Sequence, residues 1–91
     1  MSLNVLNSPA DLCTALRAAI EAALPGAQVE IAAGSPGHFQ IRVISERFAG
    51  KSMVQQQQLV YTAIAHLMKG ADAPVHAIDR MQTLVPSSAQ R

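Results

Sequence analysis

At 91 residues, 49% apolar and 14% charged, the chain has material for one small domain with a modest core, which excludes a second core and wholesale disorder. Seven Lys and Arg against six Asp and Glu leave a formal charge of +1, too weak a field for a dedicated electrostatic nucleic-acid clamp. A single Cys closes no internal disulfide, no apolar run approaches the roughly 20 residues of a membrane span, and Met1 to Pro9 lacks the basic and apolar regions of a signal peptide, so a cytoplasmic protein with no membrane association is expected.

Ser8-Pro9-Ala10-Asp11 predicts a helix start: a capping hydroxyl, a proline suited to the first turn and an acid near the helix N-terminus. Leu12, Leu16, Ile20 and Leu24 recur on one face, Arg17 and Glu21 pair at i, i+4 on a wetter one, and Pro25-Gly26 ends the helix. From Gln28 to Ala32 apolar and polar residues alternate. A second alternating run sets Phe39, Ile41 and Val43 against His38, Gln40, Arg42 and Ile44, and the Ala33–Gly37 segment between them is turn chemistry, so the pair reads as a β-hairpin.

Phe48 to Lys51 reads as a loop with one buried aromatic, and Ser52 caps a helix running from Met53 to Lys69, striped by Val60, Ala63, Ile64, Leu67 and Met68. Its first turns carry four glutamines in succession, Gln55 to Gln58. After a loop over Ala71 to Pro74, Val75 to about Leu84 reads as a weak strand that opposes His76, Ile78 and Arg80 to Ala77, Asp79 and Met81. The order α-β-β-α-β predicts a single two-layer α+β domain: a three-stranded mixed sheet with both helices on one face. Its ordered core spans about residues 8–85, with residues 86–91 frayed.

Four blocks carry a family resemblance: Gly37-His38-Phe39-Gln40-Ile41-Arg42-Val43-Ile44-Ser45, Phe48-Ala49-Gly50-Lys51-Ser52, Leu59-Val60-Tyr61 and Val75-His76-Ala77-Ile78. In order and spacing they resemble the BolA family. The resemblance implies a class II KH-like topology, and a non-enzymatic partner of monothiol glutaredoxins that shares a [2Fe-2S] cluster with the glutaredoxin and its glutathione, in iron-sulfur trafficking or iron and stress regulation. It places the family's most constant ligand on His76 and a second on His38. The alternative it permits is a nucleic-acid-binding transcriptional regulator using the KH-like surface, with DNA as partner. Gln56-Gln57-Gln58 stands where many members have Arg-His-Arg, and resembles a bacterial subgroup associated with acid tolerance. The segment after the last strand also departs from the common pattern, and no Cys or His precedes His38 in the hairpin.

A neutral imidazole is a competent iron ligand, and His76 sits in a loop rather than a helical stripe; its structural alternative is a His bonded to backbone at a strand edge. His38 faces away from the core side of its strand, available for ligation or simply packed beside Gln40 and Arg42. His66 reads as a surface residue and Cys13 as a small core residue. One Cys and three scattered His build no closed metal site, so no cofactor is expected on the chain alone. Arg42, Arg47 and Lys51 are candidates for a partner or nucleic-acid surface. Gly34-Ser35-Pro36-Gly37 has the spacing of the KH nucleotide-clamping loop, but it joins two strands rather than two helices. No catalytic triad, paired carboxylates or phosphate-binding Gly-rich turn is visible, so an enzyme is not expected.

Overall fold

The computed structural model describes residues 8–70 and 73–86. Ser8 Oγ accepts the Asp11 backbone N–H at 3.0 Å and starts helix α1 (Pro9–Ala23), where the missing N–H of Pro9 costs no helical bond. The leucine stripe turns inward: Leu12, Leu16, Ile20 and the C-capping Leu24 are all buried. The predicted Arg17–Glu21 ion pair does not close, as the ion pairs among the described residues are His38–Asp79 and Arg42–Glu30. Arg preceding Glu is the weaker order for an i, i+4 pair.

Strands β1 (Gln28–Ala33) and β2 (His38–Ile44) pair antiparallel, with Val29 opposite Val43 and Ile31 opposite Ile41. A 3-10 turn over Glu46–Phe48 leads into the predicted Phe48–Lys51 loop and delivers Phe48 into the core with no exposed surface. Helix α2 (Met53–Met68) follows, and β3 (Ala77–Leu84) returns parallel to β2, giving the order β1-β2-β3. Phe39, Ile41 and Val43 on the central strand pack with Leu16 and Ile20 of α1 and Val60 and Ile64 of α2. Each such buried side chain contributes about 1.5–3 kcal/mol from apolar transfer. This is the two-layer α+β domain expected from the periodicities, with one sheet face open to solvent. No helix among the described residues is long and apolar enough to cross a membrane.

The glutamine run is a set of fasteners. Ser52 and Gln55 form a capping box: Gln55 Oε1 accepts the Ser52 N–H at 3.0 Å and Ser52 Oγ accepts the Gln55 N–H at 3.2 Å. Gln56 Nε2 donates to the Phe48 and Lys51 carbonyls, and its Oε1 accepts the hydroxyl of buried Thr83 at 2.7 Å. Gln57 Nε2 donates to the Met81 carbonyl at 3.4 Å.

The last strand departs from its predicted alternation. Val75 is held to the end of α2 by its N–H on the Leu67 carbonyl, and the His76 and Ala77 N–H groups both go to the Gly37 carbonyl, so β3 starts at Ala77 rather than Val75. Phe39 then pairs with Ile78 but Gln40 pairs with Arg80, and Asp79 is an extra residue in a β-bulge. Ile78 and Met81 therefore both face inward, where strict alternation sets them on opposite faces. The expected frayed tail lies, from residue 87 onward, outside the described residues, as do Ala71 and Asp72 of the predicted loop.

Candidate functional site

The hairpin tip is a tight turn over Ser35-Pro36-Gly37-His38, closed by the His38 N–H on the Ser35 carbonyl at 2.8 Å. Pro at its second position and Gly37 at its third, with φ +79°, make it type II, a conformation that needs glycine at the third position. The Gly-x-x-Gly spacing is thus spent on joining two strands.

A second constraint falls on Gly37. Its carbonyl accepts the His76 N–H at 2.8 Å and the Ala77 N–H at 3.1 Å, which ties the entry to β3 onto the turn. The His76 ring comes to rest against the Gly37 Cα, where a Cβ would stand 2.6 Å from His76 Nδ1 and 2.7 Å from Cγ. His76 is nonetheless exposed, at the rim of a cleft of about 420 Å³ whose other walls include Pro9, Leu12, Pro36, Phe39 and Pro74. No side-chain hydrogen bond among the described residues engages its ring.

His38 follows Gly37 directly and opens β2. Its Nδ1 lies 2.9 Å from Asp79 Oδ1, with the two side chains 38% and 49% exposed, so solvent reaches both. One turn thus gathers both predicted histidines at one end of the sheet. Asp79 was not among the residues singled out by sequence, because regular alternation set it in line with Met81 and away from His76. The available signal was Ile78 and Met81, two apolar residues three apart that a regular strand cannot bury together.

The other candidates lie elsewhere. Arg42 is on the open sheet face, 3.7 Å from Glu30 on β1, in a shallow depression that Arg80 also lines. Arg47 stands beside Pro25, Gly26 and Pro86, and Lys51 beside Leu24, Gln55 and Leu59, so the three cations open onto three separate clefts. His66 is exposed on α2, and Cys13 is half-buried against the core. Among the described residues no three His, Cys, Asp or Glu side chains converge as a metal site. The chemistry of the donors nevertheless suits iron: two accessible imidazoles offer nitrogen ligands, and a cluster bound through them would draw its thiolates from another molecule.

A family model described as BolA-like protein matches residues 19–87. The chain is similar to BolA-like protein 1 of Mus musculus, 37% identical over 73 residues that cover 70% of this chain and 51% of that protein, so it spans about half the length of that relative. It is 36% identical over 59 residues to a protein of the rpoN-murA intergenic region of Acinetobacter guillouiae, covering 65% of this chain and 68% of that one. In structure it is similar to BolA1 from Mus musculus, with a TM-score of 0.68, 33% identity, and coverage of 91% of this chain and 70% of that chain. The BolA domain of SufE1 from Arabidopsis thaliana shares the fold, with a TM-score of 0.69, 24% identity, and coverage of 85% and 94%.

Proposed function

The chain belongs to the BolA-like family, and on that premise we propose that it is a non-enzymatic cytoplasmic partner of a monothiol glutaredoxin. In this reading the two proteins share a [2Fe-2S] cluster, with glutathione on the glutaredoxin side, in iron-sulfur trafficking or iron and stress regulation. His76 is the main ligand from this chain and His38 the second. When bound, the cluster supplies the redox chemistry and is itself the cargo; this chain supplies positioned imidazole nitrogens.

The observation that carries the reading is the mounting of His76. Its backbone is locked to the Gly37 carbonyl, its ring is backed by a residue with no side chain, and no side-chain hydrogen bond among the described residues engages that ring. A histidine held for structure would normally spend a ring nitrogen on a neighbour. The nucleic-acid alternative draws less support, since Arg42, Arg47 and Lys51 do not share a cleft and the Gly34–Gly37 loop is occupied by the hairpin turn.

The test is a visible absorption and circular dichroism titration of this protein into a glutathione-ligated [2Fe-2S] monothiol glutaredoxin. A saturating one-to-one change that His76→Ala abolishes or shifts is expected. An identical spectrum for wild type and His76→Ala would overturn the ligand assignment, and no spectral change with wild type would overturn the partnership.

A further inference from the structure

We propose that Asp79 is a positioning residue for His38: its carboxylate holds the ring by Nδ1–H and leaves Nε2 as the nitrogen presented to a metal or partner. The use of Nε2 as a ligand atom rests on the reading above, while the hold of Asp79 on the ring does not.

The argument starts from the bulge. Continuing the pairing of His38 with Ala77 and Phe39 with Ile78 in regular register would set Asp79 opposite Gln40 and Arg80 opposite Ile41, driving a guanidinium toward the core. One extra residue prevents this. With Asp79 skipped, Arg80 lies beside Gln40 on the open face and Met81 beside Ile41 on the buried one. The skipped residue is free of the ladder, and bulges characteristically re-aim such a side chain. Here it comes to rest 2.9 Å from His38 Nδ1.

An ionised carboxylate only accepts hydrogen bonds, so the ring nitrogen facing it must carry the proton. In the neutral ring that leaves the lone pair on Nε2, on the far side from Asp79 and, with His38 38% exposed, within reach of solvent. Carboxylate–imidazole pairing of this kind fixes the tautomer and orientation of metal-binding histidines, and loss of the carboxylate typically weakens the metal about 10- to 100-fold. A surface contact too loose to hold the ring would leave the tautomer as in a free imidazole and would act only through a small stability term.

Long-range 1H–15N correlation spectra of the full chain alone, about two pH units above the ordinary histidine pKa, read the tautomer directly. His38 is expected protonated at Nδ1 and bare at Nε2, and Asp79→Ala is expected to abolish that preference while the backbone amide spectrum stays native away from the bulge. Protonation of His38 at Nε2, or an unchanged tautomer in Asp79→Ala, would overturn the proposal. Adding the glutathione-ligated [2Fe-2S] glutaredoxin separates the two readings. If His38→Ala weakens the complex, Asp79→Ala should weaken it by about tenfold, and equal affinity of Asp79→Ala and wild type would overturn the positioning role. If wild type itself does not bind, the partnership fails while the tautomer result stands.

Discussion

The two ends of β3 use polar side chains in opposite ways. At the C-terminal end Thr83, 2% exposed, donates its hydroxyl to Gln56, Gln56 donates to two carbonyls of the loop before α2, and Gln57 donates to Met81. That network is closed on itself. At the N-terminal end His76 is exposed, with a ring that rests on Gly37 but makes no side-chain hydrogen bond among the described residues, and His38 has one ring nitrogen committed to Asp79. Polar groups that satisfy one another hold helix α2 to the sheet. Polar groups that the fold leaves only partly satisfied keep ring nitrogens accessible to solvent.

The largest way to break this contrast is Gly37→Ala. A φ of +79° is costly for any residue with a Cβ, and that Cβ would overlap the His76 ring. Chemical denaturation should show a loss of about 2 kcal/mol. In a His76→Ala background the overlap is relieved and only the backbone part, about 1 kcal/mol, should remain. Equal costs in both backgrounds would show that the ring does not press on Gly37.

Next in size is the closed network. Gln56→Ala strips an acceptor from the Thr83 hydroxyl and a donor from two carbonyls, and should cost about 1–2 kcal/mol. A double-mutant cycle with Thr83→Val should return a coupling of about 1 kcal/mol, because the two residues satisfy each other. A coupling near zero would mean that water replaces the Gln56 amide and that this end is less closed than its geometry implies.

The helices, the hairpin and the layering were legible because each rests on a short-range period: Leu12, Leu16 and Ile20 along α1, Phe39, Ile41 and Val43 along β2. The glutamine fasteners were not, because the partner of Gln56 is 27 residues away and an amide carries no mark of what it will bond. Gly37 was readable as a turn glycine, whereas its second duty toward His76 depends on a contact across the sheet between segments 39 positions apart in sequence. Asp79 was hidden by a phase slip, since one bulge reverses the face of every residue beyond it. His76 was picked out by family resemblance, and its mounting only became visible in three dimensions.

The smallest expected effect on stability sharpens the contrast most. His76 is exposed and its ring makes no hydrogen bond within the described residues, so His76→Ala should change the unfolding free energy by no more than about 0.5 kcal/mol. The same substitution is expected to remove the spectral response to a cluster-loaded glutaredoxin. Stability and partner response would then separate at one residue, as they should where a side chain is mounted by its neighbours without mounting them in return. A loss of 2 kcal/mol or more in His76→Ala would reverse that assignment: the ring would be a structural plug for the cleft behind Gly37, and the two ends of β3 would differ only in how much water they admit.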